Sequence, residues 1–168
     1  ASGGGRFDPG MLYYAPQGWV SDDSDAVERL KIQYGTSMCY PLSSMGSHVS
    51  VIPNHQVFRN TPLHTRANVA YFGTFGYELD LNKLSDAEIE EVKAQIRFMK
   101  EYRELLQFGT FYRLKSPFNG NETVWMVVSE DKSKALVGYY RVLNGVNLPY
   151  SCVKLQGLDP DKLYENEL

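Results

Sequence analysis

The spacing of apolar and polar positions changes character once along the chain, near residue 108. Before that point helical periods stand out. Val27, Leu30 and Tyr34 recur three and four residues apart. They follow Ser21, Asp22, Asp23 and Ser24, all competent N-caps, and precede Gly35, a stop signal, so the pattern predicts a helix from Asp25. A longer helix opens on a capping box, Ser85 to Glu88, and carries Ile89, Val92, Ile96, Met99 and Arg103/Leu106 on one face. Glu90, Glu91, Lys93, Arg97 and Lys100 form its solvated side. Between the two helices, Met38-Cys39-Tyr40 and residues 49–52 read as strands ended by Pro41 and Pro53, around a hydroxyl-rich loop at 43–48. Residues 68–77 mix aromatic and small side chains as a buried strand does. Met11-Leu12-Tyr13-Tyr14 is a short apolar run before Pro16, readable as a strand or as a buried helical turn.

After residue 108 the helical period gives way to short β-rich runs at 110–114, 123–129, 135–142 and 151–155, separated by turn-forming clusters. This texture predicts an antiparallel sheet or sandwich. Asn121-Glu122-Thr123 matches a glycosylation sequon, but an ordinary turn is the simpler reading. The expected class is α/β for residues 1–107 followed by all-β for residues 108–168.

Composition narrows the function more than the fold. Hydrophobic residues make up 43% and charged residues 22% of the 168 positions, the balance of a globular protein that buries a core. A net charge of −3 gives no electrostatic argument for nucleic acid or an anionic membrane as partner. No apolar run approaches the roughly 18 residues of a membrane span. Cys39 and Cys152 form no CxxC pattern, and His48, His55 and His64 show no metal-ligand spacing, so a metal site is left only to remote pairing and structural histidines are the simpler reading. No G-x-S-x-G elbow supports a serine hydrolase. With no initiator Met and no secretory segment, and with a glycine-rich loop at its start, the chain reads as part of a larger cytoplasmic enzyme.

Candidate chemistry concentrates in the first 25 residues. Ser2-Gly3-Gly4-Gly5-Arg6-Phe7-Asp8 joins a glycine run, which lets backbone approach a ligand, to a cation and an acid. Gln17-Gly18-Trp19-Val20-Ser21-Asp22-Asp23-Ser24-Asp25 sets an aromatic platform beside an acidic run. Carboxylates next to such a surface suit glycosidic bond cleavage, where one acid protonates the leaving oxygen and a second attacks or activates water. The plain alternatives are a core tryptophan, a glycine loop, and acids that cap a helix and meet its dipole.

Taken in this order, these residues closely resemble the active-site stretch of retaining α-galactosidases, the melibiase-type glycoside hydrolases of family thirty-six. The likeness runs on through Tyr34-Gly35-Thr36-Ser37, Tyr40-Pro41, Met45-Gly46-Ser47-His48-Val49-Ser50, Pro53-Asn54-His55-Gln56 and Phe72-Gly73-Thr74-Phe75-Gly76-Tyr77-Glu78. It implies the C-terminal part of a (β/α)8 (TIM) barrel followed by part of an antiparallel β-sandwich. It also implies hydrolysis of terminal α-galactosyl residues, as in melibiose or raffinose-type oligosaccharides, by a retaining double displacement that needs no metal or other cofactor.

By position the resemblance makes Asp22 the acid/base and places Ser2, Gly3, Gly4 and Trp19 at the sugar. Arg6 and Asp23 are supporting residues, and capping remains the better account of Asp25. The nucleophile is implied to lie upstream, so the missing part of the same enzyme is an expected partner, as is a second copy in a homo-oligomer. Alternatives are a galactosyl-transferring enzyme, an α-N-acetylgalactosaminidase, or a non-catalytic carbohydrate-binding module.

Overall fold

A computed structural model describes residues 8–167, and its internal contacts divide the chain after Phe108 into two compact units. The first is built from parallel strand segments joined by helices. β1 (Gly18–Trp19) lies parallel to β2 (Met45–Gly46), and β3 (Val49–Ser50) lies parallel to β4 (Tyr77–Glu78). Gly46 also bridges Thr74 in parallel, so residues 45–50 run between the two flanking segments. α1 (Ala26–Thr36) connects β1 to β2, and α2 (Leu63–Ala70) connects β3 to β4. Strand–helix–strand repeated in this way is the α/β pattern.

α1 begins where the acidic run predicts. Asp25 is its N-cap, accepting hydrogen bonds from the Val27 and Glu28 backbone N–H groups, both at 3.0 Å. The helix runs one residue past Gly35, which sits in its last turn without a positive φ and so is not the stop. Its buried face is more polar than the apolar spacing suggests: Arg29 and Gln33 lie buried beside Ala26, Leu30 and Tyr34. Gln33 donates to the carbonyls of Val69 and Phe72, both at 3.1 Å, tying α1 to the end of α2.

The strand expected at 68–77 is not there. Residues 68–70 are the last turn of α2, and the parallel segment is confined to Thr74 and β4. The helical period was hidden because a cation occupies its inner face: Arg66 is buried with Leu63, Ala67, Val69 and Ala70. Its guanidinium donates to the carbonyls of Thr61 and Ser50, which offsets the cost of burial. Met38-Cys39-Tyr40 is a turn instead of a strand, and the hydroxyl-rich loop at 43–48 contains the buried β2. Serine suits this crowded place because its hydroxyl satisfies a nearby carbonyl: Ser47 Oγ donates to Ala70 O at 2.6 Å. Residues 9–13 form an exposed 3-10 turn, correcting the expectation of burial.

α3 (Asp86–Phe108) starts on the predicted capping box, with Ser85 N–H and Oγ both donating to Glu88 Oε2, at 2.9 and 2.8 Å. It packs against α2 and the Leu42–Ser44 turn. Tyr71 lies between Phe75 and Phe98, with ring centroids 5.0 and 4.7 Å away, and Tyr77 OH donates to Gln95 at 2.7 Å.

The second unit is one antiparallel sheet in the order β5 (Thr110–Lys115), β6 (Glu122–Val128), β7 (Ala135–Arg141). Residues 123–128 are all buried, so the central strand shows no alternation between solvent and core. Trp125 fits because its partner in register is Gly138, where a Cβ would lie 2.6 Å from the indole nitrogen. Glu122 opens β6 as a strand residue, accepting from Lys115, Arg141 and Tyr139 at 2.6 Å each, so the turn expected at the sequon holds for Asn121 alone. The run at 151–155 is not a strand. Beyond it, Gln156 N–H donates to Met126 Sδ at 3.4 Å.

Candidate active site at the strand ends

β1 delivers the chain into a six-residue connection, residues 20–25, ahead of α1. Side-chain-to-backbone hydrogen bonds shape this connection. Ser21 Oγ accepts from Asp23 N–H at 3.0 Å, Asp23 Oδ1 accepts from Asp25 N–H at 3.0 Å, and Asp25 caps the helix. Arg59 reaches back to Asp25 Oδ2, and Asn54 Nδ2 donates to Ser24 Oγ at 3.3 Å. Asp23 and Asp25 are therefore committed to holding the backbone, while Asp22 between Ser21 and Asp23 is exposed. Capping accounts for Asp25, as expected.

Trp19 keeps 38% of its surface exposed and stacks on His48, with ring centroids 4.3 Å apart and planes 18° from parallel. Gly46 lets β2 lie close against β1, since a Cβ there would lie 3.1 Å from both the Gly18 carbonyl and Gln17 Nε2. His48 is buried, and its Nε2 comes within 2.7 Å of Glu78 Oε2 without hydrogen-bond alignment. Burial first, and the nearby Arg29 second, hold the imidazole below its ordinary pKa against the opposing pull of Glu78. A neutral ring under the indole results at neutral pH.

Arg29 joins these parts. It is 2% exposed, and its guanidinium donates to Ser21 O at 2.7 Å and Gly46 O at 3.2 Å. Burial lowers its pKa, opposed by the charges of Asp23, Glu78 and Asp22 in that order. Sequence reasoning gave Arg29 no role, and it named His48 and Glu78 only within the stretches of family likeness. The available signal was that Arg29 shares the three-and-four spacing of Ala26, Leu30 and Gln33, which places a charge on a buried face.

Of the residues singled out from sequence, Trp19 ends β1 and Asp22 and Asp23 lie on the connection that follows it, whereas Ser2, Gly3, Gly4 and Arg6 fall outside the described residues. Among the described residues, no group of three or more His, Cys, Asp and Glu side chains is arranged to hold a metal ion, and no helix is long and apolar enough to cross a membrane.

Asp22 and Asp23 lie just beyond the carboxyl end of the parallel strand β1, the end at which α/β folds bind their ligands. Residues 1–109 match the family described as Melibiase, and residues 122–168 match the glycosyl hydrolase family 36 C-terminal domain. The chain belongs to the melibiase family. It is 60% identical over 167 residues to alpha-galactosidase AgaA of Geobacillus stearothermophilus, covering 99% of this chain and 23% of that protein. Alpha-galactosidase Mel36A of Lactobacillus acidophilus is 52% identical over 166 residues, again 99% of this chain and 22% of that protein. The crystal structure of the Geobacillus enzyme superposes with a TM-score of 0.90 at 62% identity, covering 94% of this chain and 22% of that one. Variants of that enzyme have been solved in complex with raffinose and with stachyose. This chain thus spans less than a quarter of the length of these relatives.

Proposed function

We propose that the complete enzyme containing these residues hydrolyses terminal α-galactosyl residues from raffinose-type oligosaccharides with retention of configuration, and that Asp22 is its acid/base. The observation that carries this reading is the division of labour in the connection after β1: Asp23 and Asp25 brace the backbone, and Asp22 alone of the three is exposed. Support comes from close relatives that are alpha-galactosidases, one of them solved with raffinose bound. In the first half-reaction Asp22 donates its proton to the glycosidic oxygen while a nucleophilic carboxylate elsewhere in the enzyme attacks the anomeric carbon. In the second, the Asp22 carboxylate takes a proton from water, which displaces the enzyme from the same face.

Trp19 forms an apolar wall of the sugar site, and Ser2, Gly3 and Gly4 line it, with Arg6 orienting a neighbouring acid. The parallel segments of the first unit are part of a (β/α)8 barrel, whose chemistry sits at the carboxyl end of its strands. The antiparallel sheet is part of a β-sandwich. The test is to follow raffinose hydrolysis by the complete enzyme with proton NMR. α-Galactose should appear first and then mutarotate; β-galactose as the first product would overturn the double displacement.

A further inference from the structure

A buried guanidinium is costly unless something is gained by holding it. Arg29 is 2% exposed, its Nε finds no partner, and among the described residues no carboxylate lies within ion-pair distance of it. Its two hydrogen bonds go to carbonyls on different elements. One is Ser21 O, the carbonyl of the peptide that carries the Asp22 N–H. The other is Gly46 O, on the strand segment beside β1. We propose that Arg29 is a positioning residue for the Asp22 connection, its fork fixing the Ser21–Asp22 peptide to β2 and placing a permanent cation near the carboxyl group. This rests on Asp22 being the acid/base.

The physical argument separates two contributions. The fork is geometric: a planar guanidinium spans two acceptors that a single ammonium does not span in the same way. Without it the upstream end of the connection is released, while the downstream end stays fixed by Asp25, Asn54 and Arg59. A small displacement of a catalytic group costs on the order of 10²-fold in rate. The second contribution is electrostatic. The charged and titratable groups around the connection are Asp23 on the connection itself, Arg29 on α1, His48 between β2 and β3, and Glu78 on β4, with Asp25, Glu28 and Arg59 at the start of α1. His48 is neutral and the others nearest Arg29 are acids, so removing Arg29 leaves Asp22 among like charges.

The experiment compares Arg29→Lys and Arg29→Met in the complete enzyme, using raffinose and an aryl α-galactoside whose phenol is a good leaving group. Both variants should lose kcat/KM on raffinose, on the order of 10²-fold, and much less on the aryl substrate, which needs little protonation. Arg29→Lys keeps the charge but not the fork, so it should lose nearly as much on raffinose as Arg29→Met does. Equal losses on both substrates, or a Lys variant indistinguishable from the parent, each overturn the proposal. If Arg29→Met does not fold, the Lys variant decides; if neither folds, Arg29 is purely structural and the proposal fails. Azide rescue of Asp22→Asn tests the acid/base reading separately, so either idea can fail while the other stands.

Discussion

At the residue scale, the site is defined by which side chains are occupied and which are free. Trp19 is partly exposed, unlike a core tryptophan such as Trp125 at 0%. A fully buried indole costs about 3–5 kcal/mol when truncated to alanine, so less is expected here. In the complete enzyme, Trp19→Ala should raise KM and lower kcat together, with a modest fall in Tm. A large fall in Tm with normal kinetics in the folded fraction would make Trp19 an ordinary packing residue. His48 beneath it predicts a pH dependence. Its native pKa is lowered by burial and then by Arg29, so below about 6.5 the unfolded chain holds a proton that the native ring refuses. The neutral ring's contribution to stability is intact above that value and declines as the pH falls toward the native pKa. Melting curves of parent and His48→Gln between about pH 7.5 and about pH 5 should show a shallower acid-side decline in the variant. Parallel curves would contradict this.

At the element scale, the strand segments are short and their register is set by close backbone approach. A Cβ at Gly73 would lie 2.4 Å from Ser47 Oγ and 2.9 Å from Met45 O, so Gly73→Ala must push the turn after α2 away from residues 45–47. Overpacking of this kind costs about 1–3 kcal/mol, measurable by denaturant unfolding; an unchanged midpoint would mean that the segments are not so closely apposed. The same crowding explains what the sequence did and did not disclose. α1 and α3 were legible because their caps are local and their apolar spacing is regular. α2 was not, because buried Arg66 breaks its apolar stripe and Val69-Ala70-Tyr71-Phe72 mimics a strand. β2 looks like loop in the sequence because the serines beside it, which bond to carbonyls in a tight interior, resemble turn residues in isolation. Within the candidate site, an ordered motif singles out Asp22, Asp23 and Trp19. It does not single out Arg29, His48 and Glu78, since only folding brings helix α1 and three strand segments to one place.

At the scale of the whole molecule, the chain covers less than a quarter of its alpha-galactosidase relatives, and double displacement needs two carboxylates in one site. The 168-residue chain made by itself should therefore show no turnover of aryl α-galactosides, whereas the complete enzyme should. Turnover by the purified chain, well above a buffer blank, would contradict the assignment of the nucleophile to another part of the enzyme.

The most direct test of the account compares Asp22→Asn with Asp23→Asn in that complete enzyme. Raffinose, which needs protonation, should be nearly inert with Asp22→Asn, a general acid being worth about 10²–10⁴-fold. An aryl galactoside with an acidic phenol should still form the galactosyl-enzyme and then stall for want of a base. Azide needs no base, so adding it should restore turnover and yield α-galactosyl azide. Asp23→Asn should show only the modest loss of a loosened connection and no rescue. Azide rescue of Asp23→Asn, with none in Asp22→Asn, would contradict the assignment.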